Sequence, residues 1–227
     1  MTRSLEVRRL GRVSYEEGLA LQRGLVLDRQ AGRIGDVLLI VEHPHVLTLG
    51  VRGDGGRSNI LATPDELRAR GVDVHETGRG GDITYHGPGQ IVGYPILDLK
   101  PDRCDVHRYV RDLEEVLIRT AADSGIEARR VEGLTGVWVG REKLAAIGVR
   151  IARWVTSHGF ALNVSTDLDY FGFIVPCGIA DRGVTSLAQL LGHDVDRSNV
   201  EDHIVARLCE VFDRTPVAAV LPAGTAR

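Results

Sequence analysis

The 227-residue chain is poor in cysteine, in lysine and in long apolar runs, and each shortage removes a class of protein. Its three cysteines, Cys104, Cys177 and Cys209, are too few and too scattered for a disulfide framework. None sits in the close pairs that bind zinc or run redox chemistry, so no metal centre is expected, and free thiols suit a reducing compartment. No apolar run approaches the roughly 20 residues that span a bilayer. The start, Met1-Thr-Arg-Ser-Leu-Glu-Val7, has no signal-peptide core, so the expected location is the cytoplasm with no membrane partner. A formal charge of −3 lacks the basic excess of a nucleic-acid binder. The glycines match neither a Walker loop nor a dinucleotide fingerprint, so no cofactor is expected.

Lysine is the sharpest shortage. Of 28 basic residues only Lys100 and Lys143 are lysines. A lysine retained among arginines is suited to what arginine cannot do, which is to give up its proton near neutral pH. Codon bias explains the same count without function.

The order of elements reads as α+β. A strand at Leu5 to Leu10 precedes a helix opened by the capping box Ser14/Glu17 and running to about Gly32. Asp36 to Glu42 is a buried strand, Val46 to Gly50 pairs with it, and Thr63-Pro64-Asp65-Glu66 starts a short helix stopped by Gly71. Strands follow at Val72 to Glu76, Ile83 to Tyr85 and Gln90 to Leu99. Asp105 caps a helix to about Asp123, with Val106, Val110, Leu113, Val116 and Leu117 on one stripe. Four further strands lie between Ala128 and Asn163, and Ser198 with Glu201 opens a last helix through Phe212. Without regular βαβ alternation the expected sheet is mixed and largely antiparallel with packed helices. One catalytic domain over 1–213, followed by a loose tail at 214–227, is the expected organisation, working as a monomer.

Three segments depart from plain core sequence. In Arg79-Gly-Gly-Asp-Ile-Thr-Tyr-His-Gly-Pro-Gly-Gln90, five of twelve positions are Gly or Pro, so the backbone turns sharply or is approached closely. Gly136-Val-Trp-Val-Gly-Arg-Glu-Lys143-Leu-Ala-Ala-Ile-Gly148 reads as a hairpin whose small residues leave room for a ligand chain or for tight packing. Val175-Pro176-Cys177-Gly178-Ile179 sets a cysteine in a loop, where a thiol is offered to a substrate more often than in a helix or strand. Cys104 and Cys209 read as structural. His43 and His45 have no third ligand beside them and read as incidental.

The strings Arg79 to Val92 with Tyr94-Pro95, Lys143-Leu-Ala-Ala-Ile-Gly148, His158-Gly-Phe-Ala-Leu-Asn163 and Pro176-Cys-Gly-Ile179 resemble, in order and spacing, the signature blocks of the octanoyl (lipoyl) transferases. The similarity runs from about Leu5 to about Phe212. The resemblance implies the fold of the biotin and lipoate protein ligases. It also implies that octanoyl-acyl carrier protein donates an octanoyl or lipoyl group to a lysine of lipoyl domains in 2-oxoacid dehydrogenases or of the glycine cleavage H protein. On the matching positions it makes Cys177 the acyl-bearing nucleophile and Lys143 its partner. The substrate walls would be Arg79, Gly80, Gly81, Asp82, Ile83, Thr84, Tyr85 and His86, then Ala146, Ile147 and Gly148, then His158, Gly159 and Phe160.

Elementary chemistry agrees with that implication. Exchange between thioesters is nearly balanced and thioester to amide is downhill, so no phosphate-binding loop is needed. A cation beside a thiol lowers its pKa from about 8.5 and so supplies the thiolate. Three alternatives remain: an ATP-dependent lipoate or biotin ligase, which needs no nucleophilic cysteine, a cysteine hydrolase with His86 or His158 as base, and a non-enzymatic binder of acyl carrier protein. An acidic donor would dock on arginines, with Arg129, Arg130, Arg141, Arg150 and Arg153 the candidates by closeness to Lys143 in sequence.

Overall fold

The computed structural model describes residues 3–52, 54–175 and 182–218. Among them, eight strands form one sheet. Along the chain they are β1 (Arg3–Arg12), β2 (Asp36–Glu42), β6 (Gln90–Ile96), β7 (Arg129–Val131), β8 (Leu134–Val139), β9 (Glu142–Ala152), β10 (Val155–Asn163) and β11 (Arg214–Ala218). Their spatial order is β11-β1-β2-β6-β10-β9-β8-β7. A small sheet stands beside it, with β3 (Val46–Leu49) between β4 (Asp73–Glu76) and β5 (Thr84–His86). Pairing is parallel at β1/β11, β1/β2 and β3/β4 and antiparallel at the other junctions, which makes the fold α+β with a mixed, mostly antiparallel sheet.

Period-two alternation sends successive side chains of the main sheet to opposite faces. Leu38, Ile40, Ile91, Phe160 and Leu162 pack beneath helices α3 (Val106–Asp123) and α5 (Arg197–Phe212). Val37, Leu39, Val41, Val92, Tyr94 and Ala161 pack on the other face with Leu25 of helix α1 (Tyr15–Gln30). Each fully buried Leu, Ile or Phe contributes about 1.5–3 kcal/mol through burial. The capping boxes of Ser14 with Glu17 and Thr63 with Glu66 are formed, the second opening α2 (Pro64–Ala69). The Asp105 side chain caps α3.

Four features differ from the sequence reading. Val46 to Gly50, expected to pair with the strand at Asp36 to Glu42, instead supplies β3 of the small sheet, paired with β4 and β5, where Leu47 and Leu49 pack on Leu67, Ile83 and Tyr85. The α5 cap is Asp196, whose carboxylate accepts the Ser198 N–H at 2.9 Å; Ser198 lies inside the helix and Glu201 pairs with Arg197 at 2.8 Å instead. Aspartate caps as well as serine, and the Ser/Glu spacing also occurs within a first turn. A short helix α4 (Leu187–Leu191), capped by Ser186, was not anticipated, because five residues are too few to show a helical period. Residues 214–218, read as part of a loose tail, form β11 beside β1. The cause is Arg214, 7% exposed, which donates from Nε to Asp36 Oδ2 at 2.8 Å, while Asp36 Oδ1 accepts from Arg29 at 2.8 Å. No helix among the described residues is long and apolar enough to cross a membrane.

Candidate functional site

A cavity of about 540 Å³ opens between the two sheets and α3. The loop between β4 and β5 contributes Arg79, Gly80, Gly81 and Asp82, and β5 contributes Thr84 and His86. Lys143, Ala146, Ile147 and Gly148 come from β9, and His158, Gly159 and Phe160 from β10. Ile83 and Tyr85 do not line it. Strand alternation turns them into the core of the small sheet, where Tyr85 stacks on Tyr170 at 5.3 Å and bonds His45 Nδ1 at 2.8 Å. Cys177 lies outside the described residues.

Glycine is required where backbone and side chains crowd. A Cβ at Gly148 would stand 3.0 Å from both Arg79 Cδ and Gly80 O, so the space left by Gly148 is taken by the Arg79 loop. That loop is tied to β9 by Gly80 N–H donating to Val149 O at 2.8 Å. A Cβ at Gly93 would collide with Phe160 Cζ, so this glycine makes room for the ring on the sheet face.

The histidines of the cavity are held neutral. Burial pushes His86 down to about 3, and burial together with Arg79, Arg150 and Arg23 takes His158 down to about 4. His86 Nδ1–H donates to Gln90 Oε1 at 2.8 Å, which leaves Nε2 toward Thr48 Oγ1 at 3.4 Å. The His158 N–H donates to Gln22 Oε1 at 2.7 Å, and its φ of 53° is unusual for a non-glycine residue. His43 donates to Val13 O at 2.9 Å and accepts from Tyr94 Oη at 2.7 Å, so both its nitrogens are used. Arg79, 7% exposed, points its guanidinium at Thr48, donating to the carbonyl at 2.6 Å and to Oγ1 at 2.9 Å.

The two lysines separate by environment. Lys100 is exposed, whereas Lys143 is 7% exposed with Nζ 4.8 Å from the Trp138 ring centre. Its main chain does a second job. Lys143 N–H donates to Gly183 O at 2.9 Å, and Thr185 N–H donates to Lys143 O at 3.1 Å. Upstream, Val175 N–H donates to Asn59 O at 2.8 Å. The stretch that carries Cys177 is therefore fixed at both of its described ends.

A line of buried amides joins the halves of the site. Gln90 Nε2 donates to Asn163 Oδ1 at 2.9 Å, and Asn163 Nδ2 donates to Thr185 O at 2.9 Å. From His86 to Lys143 every link is a hydrogen bond. Sequence reasoning missed Gln90 and Asn163 as site residues although both stand in the quoted strings. It also missed Tyr15, which stacks on His86 at 6.3 Å, and Arg52, Tyr94, Val106, Val110 and Leu134, which line the cavity. The α3 stripe was visible, but nothing in the chain's order says that its first turns face a pocket.

The five arginines named for docking do not form one patch. Arg130 is spent on Glu114 at 3.1 Å and Glu115 at 2.8 Å. Arg153 lies at the end of β9 away from Lys143, ten residues or about 33 Å along an extended strand. Arg150 does not line the cavity; its guanidinium lies against Gly78, next to the cavity-lining Arg79.

The lipoyl protein ligase A/B catalytic domain model matches residues 14–209. A curated octanoyltransferase of Myxococcus xanthus is 50% identical over 98% of this chain, which spans 63% of that relative's length. Another, from Solibacter usitatus, is 52% identical over 91% of this chain and 92% of its own length. Among solved structures, a Thermoplasma acidophilum protein described as a lipoate protein ligase, with bound lipoic acid, superposes with a TM-score of 0.73 at 15% identity, covering 98% of this chain and 91% of that one. The biotin protein ligase of Aquifex aeolicus with biotin and ATP reaches 0.54 at 15% identity over 92% and 70%. These two establish the fold alone, whereas the family model and the curated relatives establish kinship: the chain belongs to the octanoyltransferases of the lipoyl protein ligase A/B family.

Proposed function

We propose that the chain takes an octanoyl or lipoyl group from acyl carrier protein onto Cys177 as a thioester and passes it to a specific lysine of lipoyl domains, including those of 2-oxoacid dehydrogenases and the glycine cleavage H protein. Octanoyl transfer in protein lipoylation rests on the curated octanoyltransferases about half identical over most of the chain. One observation supports the residue assignment above others: buried Lys143, at the cavity, holds Gly183 and Thr185 by its own backbone, just past the stretch that carries Cys177.

In the first step the Cys177 thiolate attacks the donor thioester carbonyl and the pantetheine thiol leaves. In the second, the acceptor amine attacks the Cys177 thioester, the Cys177 thiolate leaves and the amine proton passes to a base. Lys143 serves as cation for the first step and base for the second. His86 and His158 are poor candidates for the base, since groups with pKa values of about 3 and about 4 have little affinity for a proton near pH 7. The same argument weighs against a cysteine hydrolase. In this reading the enzyme works in the cytoplasm as a monomeric, single catalytic domain.

The test is intact-mass spectrometry after incubation with octanoyl-acyl carrier protein. One hydroxylamine-labile octanoyl group per chain is expected, absent in Cys177→Ala. Labelling at Cys104 or Cys209 overturns the assignment, and pyrophosphate release from octanoate and ATP moves it to a ligase.

A further inference from the structure

Most arginines away from the cavity are neutralised. Arg12 meets Glu42 at 2.6 Å, Arg103 meets Asp112 at 2.6 Å, and Arg214 meets Asp36 at 2.8 Å. Around the loop from Gly78 to Gly81 the pattern reverses. Arg52, which lines the cavity, donates its backbone N–H to Gly81 O at 3.1 Å; Arg150 lies against Gly78; and Arg23 and Arg150 act with Arg79 on His158. No carboxylate among the described residues pairs with Arg23, Arg52 or Arg150. The nearby acids are turned onto other donors. Asp82 accepts from Ile83 N–H at 2.6 Å and Asn59 Nδ2 at 3.0 Å, and Asp54 accepts from Gly56 and Ser58 N–H, each at 2.9 Å.

Exposed guanidinium groups flanking one loop, with no carboxylate to pair them, favour an anion that joins them, and their planar forks match phosphate oxygens. We propose that Arg52 and Arg150, with Arg23 beside them, form a phosphate subsite that holds the phosphodiester of a phosphopantetheine thioester arm. The inference rests on the acyl-transfer reading above. Arg150 and Lys143 are seven residues apart on extended β9, about 23 Å along the strand, so a long flexible arm suits an anion held near one and a thioester reacting near the other. A simple carboxylic acid does not span the two. The phosphodiester could belong to acyl carrier protein or to an acyl-coenzyme A, and the chemistry recognised is the same.

The experiment is calorimetric titration of the full chain with the thiols phosphopantetheine and pantetheine, which bind without reacting. Phosphopantetheine is expected to bind about tenfold more tightly or better, as one charge-assisted contact provides. That advantage should shrink as salt is raised and fall to near unity in the Arg52→Gln/Arg150→Gln double variant. Equal affinities in the native chain, or an advantage that survives in the double variant with an unchanged circular dichroism spectrum, overturn the subsite. Titration with coenzyme A and with holo-acyl carrier protein identifies the source by whichever surpasses phosphopantetheine. Failure of the chain to acquire octanoyl from octanoyl-acyl carrier protein overturns the acyl-transfer reading separately, since the thiol titrations need no chemistry.

Discussion

The two ends of the cavity handle titratable groups in opposite ways. At one end His86 and His158 line the cavity, with His43 behind them against Tyr94, all with pKa values pushed down by burial, so the first two act as neutral hydrogen-bonding walls. At the other end Lys143 is placed on the Trp138 ring, and its backbone grips the segment that follows the proposed nucleophile. Two histidines in one pocket invite a histidine-base mechanism, but burial without a carboxylate partner makes them weak bases. In the proposed mechanism the proton-moving role falls to Lys143 rather than to these two.

The strongest way to break this contrast is at Lys143. Arginine keeps the charge but holds its proton at any relevant pH. Lys143→Arg is therefore expected to form some acyl-enzyme yet transfer it to a lipoyl domain roughly a hundredfold or more slowly, the usual cost of a lost general base. Single-turnover kinetics on each half-reaction separate the two roles. Equal losses in both steps would leave Lys143 as a charge alone, and an equal loss in His158→Gln would erase the difference between the two ends.

The amide line between the ends gives a smaller effect. In Asn163→Asp the side chain still accepts from Gln90, but the oxygen facing Thr185 O has no proton to donate. A buried mismatch of that kind costs about 1–3 kcal/mol, so acylation should slow by about tenfold and the melting temperature should fall by several degrees. Because Thr185 is bonded to Lys143, the rate loss should appear in acylation of Cys177 more than in affinity for the donor. A variant with the stability loss but native acylation would show that the line supports only the fold.

Much of this architecture was legible in the sequence because it rests on local signals. The boxes at Ser14/Glu17 and Thr63/Glu66 and the cap at Asp105 fix three helix starts within one turn of chain. The blocks at Arg79 to His86, Ala146 to Gly148 and His158 to Phe160 meet at the cavity, apart from Ile83 and Tyr85, which the pleat turns away. What stayed hidden depends on partners distant in the chain. β11 is an edge strand held by Arg214 reaching Asp36, 178 residues away. Arg130 looked available until Glu114 and Glu115 of α3 were seen to hold it. Tyr15 and Arg52 have no local signature, because only the fold brings them to the pocket.

The smallest expected effect concerns the neutral histidines themselves and is read in stability. His158 titrates at about 4 in the folded chain and near 6.5 once unfolded, so between those values the unfolded state binds more protons. Stability is then fully present above about pH 6.5 and is lost as pH falls toward 4, by at most about 1.4 kcal/mol per pH unit for this group. His86, at about 3, adds a loss of the same sign that continues lower. Urea unfolding from pH 7.5 to 4.5 should show the decline, and His158→Gln should make it shallower by up to one proton's slope, with the backbone N–H of residue 158 still donating to Gln22. An identical slope in native and variant chains would mean that His158 is protonated in the folded state, and the contrast between the two ends of the cavity would then fail at the histidine end.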